Sequence, residues 1–361
     1  MANFDLSNLA LSAVCPGNEI LYDDKGMPSI MVKIPKQTYK QLGLGESEAV
    51  HPAFIVNGQE VDAIWISKYQ NIVQNGRAYS LPGQDPHVNV TFDTARGYCE
   101  AKGEGWHLMT RAEWALLALW CKNNGHLPWG NNNYSKDSRE TNYKAIPTYI
   151  DGEGRICRVA TGTGPLTWSH DNSPSGIWDL NGNVMEWVGG MRLVYGELQI
   201  LVNNNAADSN RSQSAASSEW MAINGITGEP ITPDENGTTP DSLKLDYVSN
   251  AWKWITGELS SNVDSERSCT FENVTADETV GENAIILLKS LALLKHDNTP
   301  GAYEGDYLYA NNGAAERLFI CGGYWNYGAY AGVFCLNGNY SRTTSFIGRG
   351  FRSAYVKLPS V

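Results

Sequence analysis

CGGYWNYGAYAGVFCLNGNYSRTTSFIGRGFRSA, residues 321–354, is hard to read as core and easy to read as surface. Of the twenty-four residues from Gly322 to Ser345, fourteen are Tyr, Gly, Asn or Ser, and Arg342 is the one charge. The small and polar residues follow neither a period of two nor one of 3.6, so no half-buried strand or amphipathic helix is written there. Tyrosine offers broad amphipathic contact at low entropy cost, and Ser, Gly and Asn add adaptable hydrogen bonds, as in antibody paratopes. The functional reading is a binding loop. The structural reading is a glycine-rich turn region with its aromatics tucked inward.

LFICGGYW and GFRSAYVKL read as strands bracketing this long exposed segment. Upstream, SIMVKIPK (29–36) and VDAIWISKY (61–69) read as short strands between turn-forming clusters. Phe92, Ala95 and Cys99 recur at helical spacing behind Thr91 or Asp93, with Gly103 past the end. Thr110 and Glu113 form a capping box ahead of Trp114, Leu117, Ala118 and Cys121, which predicts a helix ending near Gly125. Residues 126–180 are turn-rich. From 191 to 315 the composition shifts to Asn/Ser-rich and Pro/Gly/Asp-rich stretches followed by a helix over 282–295. The expected organisation is an N-terminal extension (1–28), one domain built from 29–190 and 316–361, and an insertion (191–315).

The 361 residues are 42% apolar, with twelve Trp and eighteen Tyr, enough for a sizeable core. Gly and Pro together are about one residue in seven, which disfavours a helical bundle. A net charge of −12 without any basic run argues against a nucleic-acid partner. The most apolar run, AIILLKSLALL (284–294), is interrupted by Lys289 and too short to span a bilayer, so no membrane insertion is expected. The N-terminus lacks the positive n-region of a secretory signal. Seven Cys, with no C-x-x-C pair and no zinc-like spacing, predict reduced and mostly buried thiols.

WDLNGNVMEW (178–187) places Asp179, Asn181, Asn183 and Glu186 within eight residues, and Gly182 lets main-chain carbonyls turn inward beside them. Hard oxygen donors at this density suit Ca²⁺. A tight turn whose Asp and Asn bond their own backbone is the alternative. Nucleophilic chemistry has no support: there is no G-x-S-x-G, the six His are scattered without H-E-x-x-H, and TGTGP (161–165) lacks the Lys of a phosphate loop.

Taken in order, SIMVKIPK, IWISKYQ, HVNVTFDTARGYCEAKG, HLMTRAEWALLAL, LPWGN, SGIWDLNGNVMEWV and CGGYW…GFRSAYV resemble the formylglycine-generating-enzyme (sulfatase-modifying factor) family. The resemblance covers about 29–130, 165–190 and 316–358, and leaves the insertion outside. It implies an α+β, C-type-lectin fold of the formylglycine-generating type, with short strands, two or three helices and much irregular structure. It also implies a structural Ca²⁺ held by Asp179 and Glu186 side chains and by the Gly182 and Val184 carbonyls. The family's enzymes use a copper-dependent cysteine pair. By that pattern the thiols would fall at Tyr327 and Gly332, and neither is present.

The GG-x-W-N…GFR ending is also similar to the variable proteins of diversity-generating retroelements, whose C-terminal segment is rewritten by adenine-directed mutagenesis. That resemblance implies a non-catalytic protein with ligand contacts at Tyr324, Asn326, Tyr327, Ala329, Tyr330, Val333, Phe334, Asn337, Asn339, Tyr340 and Ser341. Gly322, Gly323, Trp325, Gly350 and Phe351 would hold the scaffold. The implied partner is a cell-surface protein or glycan, met from a phage tail or a bacterial surface; a homo-oligomer is compatible with it. The alternatives are an oxidase of the same fold acting on a cysteine-containing peptide, and a structural tail subunit.

Overall fold

Caps and short apolar faces set the helices of this chain. Thr110 Oγ1 accepts from the Glu113 amide while the Glu113 carboxylate accepts from the Thr110 amide, closing the expected capping box. In the computed structural model, which describes residues 5–358, the helix behind it runs Arg111–Asn123 and is buried on nearly every side. Thr91 caps a second helix, Phe92–Glu100, which buries Phe92, Ala95 and Cys99. A third, Glu282–Ser290, stops short of the expected end at 295. The Arg111 guanidinium takes the Leu291 and Ala292 carbonyls, and Ala292 turns to φ +49°, so the helix cannot continue. A fourth, Leu6–Val14, is capped by Asp5.

One sheet has five antiparallel strands in the order Asn18–Tyr22, Pro28–Pro35, Ala63–Ser67, Ser353–Val356, Trp106–Leu108. The expected N-terminal extension therefore contributes, as Asn18–Tyr22, an edge strand. In the second sheet, Met185–Val194 pairs antiparallel with Arg317–Cys321 and parallel with Arg349–Phe351. Segment 191–315 continues this sheet on both sides. Glu197–Ile200 adds next to Met185–Val194, while Tyr307–Ala310 adds beyond Leu336–Tyr340. The frame and this segment share one apolar cluster that includes Trp114, Ile64, Trp252, Trp254 and Phe271. Among the described residues no helix is long and apolar enough to cross a membrane.

A buried histidine ties the frame to the segment. His51 Nε2 lies 2.8 Å from the Ser290 carbonyl, and Nδ1 accepts from the Ala53 amide at 3.2 Å. Both neighbours fix the neutral ring, and burial lowers its pKa from 6.5 to about 4. The unfolded chain then binds the proton first, so this contribution is intact above about pH 6.5 and is lost as pH falls towards 4. Urea denaturation is expected to show a loss of up to about 3 kcal/mol over that window. Burial lowers His170 and His296 likewise, so His51→Asn should reduce the loss without abolishing it; an unchanged pH profile would contradict the assignment.

Candidate functional site

The C-terminal loops are held to the frame through main-chain atoms. The amides of Phe92, Asn89 and Met185 donate to the carbonyls of Arg342, Phe346 and Gly348, and the Tyr134 amide donates to the Trp325 carbonyl. Arg342 adds a side-chain clamp, pairing with both carboxylate oxygens of Glu316 at 2.9 Å and with Asp93 at 2.7 Å. Glu316 also receives Arg192 at 2.9 Å. Gly322 sits at φ +89° against the Leu180 carbonyl, where a Cβ would approach to 2.9 Å, so the GG step needs glycine.

On this support lies a continuous row of six rings. Tyr330 meets Tyr307 at 4.2 Å, Tyr307 meets Tyr309 at 5.5 Å, and Tyr309 meets Tyr327 at 5.5 Å. Tyr327 then meets Tyr324 at 4.7 Å, and Tyr324 meets Phe346 at 5.5 Å. Tyr330 is 49% exposed and Phe346 36%. Asn326 and Ala329 are exposed as well, while Tyr324, Tyr327, Asn339, Tyr340 and Ser341 are half-buried. Two rings, Tyr307 and Tyr309, come from segment 191–315. So does exposed Glu266, whose carboxylate accepts from Asn337 and Asn339. Sequence reasoning missed all three. The alternation of YLYA (307–310), half-buried then buried, was the available signal.

Three expected contact residues are buried instead, Val333 and Phe334 against the core and Asn337 beneath the exposed Glu266. Phe334 packs between Phe271 and Tyr303 at 5.0 and 4.9 Å, and the Val333 carbonyl accepts from Trp114 Nε1 at 2.8 Å. The apolar run VFCL feeds the strand Leu336–Tyr340, so the segment is a loop, a buried strand and a second loop rather than one exposed stretch. Trp325, Gly322, Gly323, Gly350 and Phe351 are buried.

The two positions where a cysteine pair would fall are filled otherwise. Tyr327 is part of the ring row. Gly332 abuts Asp306, so that a Cβ there would come within 2.1 Å of the carboxylate. Asp306 is itself buried, accepts from the Phe334 amide, and burial raises its pKa well above the usual range. The nearest thiols, Cys321 and Cys335, are buried too. Burial pushes Cys321 up to about 12 and Cys335 well above its usual value, which leaves no thiolate at neutral pH. Gly332→Cys is expected to lower stability by about 1–3 kcal/mol in denaturant titration through overpacking against Asp306. A fully stable variant would show that the site relaxes freely.

The four residues expected to bind calcium are brought together, but the oxygens expected to ligate it, Asp179 Oδ1 excepted, already have partners. Asp179 adopts φ +63°, its Oδ2 accepts from the Gly162 amide, and its main-chain carbonyl faces Gln70. Glu186 is paired through both oxygens with Arg352 at 2.6 Å. The carbonyls of Asp179, Gly182 and Val184 and Glu186 Oε1 all point at the side-chain amide of Gln70. As folded, this donor set does not fit a cation, because an N–H donor stands at its centre. Asp179 Oδ1 is buried and has no hydrogen-bond partner among the described residues.

These features define an α+β protein with short strands and much irregular structure. Residues 42–207 match the family described as the sulfatase-modifying factor enzyme 1-like domain. Among solved structures the chain is similar to PvdO from Pseudomonas aeruginosa, with 13% identity, 94% of this chain and 98% of that chain covered, and a TM-score of 0.31. It is also similar to Treponema denticola variable protein 1, with 11% identity, coverage of 94% and 99%, and a TM-score of 0.33. For the Major Tropism Determinant P3c variant the values are 10% identity, coverage of 94% and 71%, and a TM-score of 0.29. No curated protein matches.

Proposed function

We propose that this chain is a non-catalytic binding protein of the diversity-generating-retroelement variable class. It would present its C-terminal loops to a cell-surface protein or glycan from a phage tail or a bacterial surface. The observation that carries the reading is the row of six rings, four from residues 324–346, set on loops whose main chain is tied to the frame. Aromatic area buried on a partner contributes roughly 25 cal/mol per Å², and a platform ordered before contact lowers the entropic cost of association. Tyr307 and Tyr309 would be constant members of a surface whose other members change.

Two measurements test this. Flanking DNA should contain a reverse transcriptase and a template copy of the segment encoding 316–358 that differs at adenines. The differing codons should fall at exposed or half-buried positions such as Asn326, Tyr330 and Ser341 and spare Val333 and Phe334. Incubation with Cu(I) and a cysteine-containing peptide should consume no oxygen. Absence of a template, or thiol-dependent oxygen uptake, would sink the reading.

A further inference from the structure

One nitrogen atom stands where four main-chain and side-chain oxygens converge. Gln70 Nε2 lies 2.9 Å from the Val184 carbonyl, 3.0 Å from Glu186 Oε1, 3.2 Å from the Asp179 carbonyl and 3.5 Å from the Gly182 carbonyl. The orientation of this amide is dictated from a backbone donor outward. The Val159 amide donates to Asn183 Oδ1 at 2.9 Å, which leaves the Asn183 nitrogen to donate to Gln70 Oε1 at 2.9 Å and to the Val159 carbonyl at 3.2 Å. With Oε1 committed to Asn183, Nε2 must face the four oxygens.

An amide nitrogen carries two hydrogens, so it cannot satisfy four acceptors fully. Inward carbonyls plus a carboxylate are what a hard cation attracts, at about 2.3–2.6 Å for calcium. Here the spacing is wider, and it suits an N–H donor. The negative charge of Glu186 is answered separately, by Arg352 through two charge-assisted hydrogen bonds. Gln70 itself is fully buried, so no solvent competes for the hub.

We propose that the Gln70 amide takes the place of a calcium ion at this hub, and that the surrounding oxygens form a latent calcium site which shortening residue 70 would open. The protein keeps its loops assembled without metal because a side chain reaching in from just beyond the strand Ala63–Ser67 joins the four oxygens. Removing the amide leaves the carbonyls and Glu186 facing an empty centre, which a cation can fill if they draw in by several tenths of an ångström. This inference does not depend on the binding role proposed above.

Thermal melts and calcium titration calorimetry test it. The wild-type protein should melt at the same temperature in EDTA and in millimolar calcium and should give no calcium isotherm. Gln70→Gly should melt lower in EDTA and recover by at least ~2 °C in calcium, with one ion bound per chain. Gln70→Ala likewise removes the amide from the hub, so it should bind calcium as well. Wild-type protein that loses stability on chelation, or that binds calcium stoichiometrically, overturns the proposal. So do two variants, folded or unfolded, that are both indifferent to calcium.

Discussion

Arg352→Met should cost the fold about 3–5 kcal/mol, because it strands a buried carboxylate. Arg352 is wholly buried, and its guanidinium bonds both oxygens of Glu186, the Ser67 carbonyl and the Trp178 carbonyl. Methionine fills much of the volume and returns none of those donors. Gln70 still reaches Glu186 Oε1, but a neutral amide cannot replace a cation at low dielectric. Denaturant titration checks the value, and a loss below about 1 kcal/mol would mean that water or a neighbouring group already shares the charge. Adding Glu186→Leu to Arg352→Met should restore part of the loss, since removing both charges costs less than removing one.

The second large effect is on binding. Tyr330, Tyr307 and Phe346 belong to the ring row without belonging to the core, and they come from three separate segments. Truncated aromatic anchors at an interface cost about 2 kcal/mol or more each, with sums that are not additive. The triple change to Ser should therefore weaken any target captured by the wild-type protein by at least about 100-fold. Surface plasmon resonance on that target reads the loss, and circular dichroism should show an intact fold with a nearly unchanged melt. Retained affinity would place the contact surface elsewhere. Collapse of the fold would mean that the rings are structural, the outcome expected of a subunit whose aromatics are buried in an assembly.

The parts of the fold legible in the sequence were those fixed by local chemistry. The box from Thr110 to Glu113 and the spacing of Phe92, Ala95 and Cys99 each determine a helix within a few residues. What required coordinates was long-range. Gln70 lies more than a hundred residues from the carbonyls it bonds, and a lone glutamine carries no ligand signature. The four residues at 179–186 were gathered as their spacing implied, yet nothing in that spacing reveals that an amide fills the centre. Residues 333–336 were read with their tyrosine-rich neighbours, although VFCL is an apolar run that packs on Phe271 and Tyr303, side chains no local pattern could supply. Tyr307 and Tyr309 went unnoticed because they belong to a stretch set apart by composition, while the sheet runs through it without a break.

The loops carrying residues 324–348 are moored at Trp325, Arg342, Phe346 and Gly348 by peptide oxygens, atoms that every amino acid possesses. Exchanging the letters at exposed positions leaves those moorings untouched, so sibling sequences would trace one contour and differ in texture alone. Under the binding role proposed above, a repertoire built on such a mount would explore new targets without relearning how to fold.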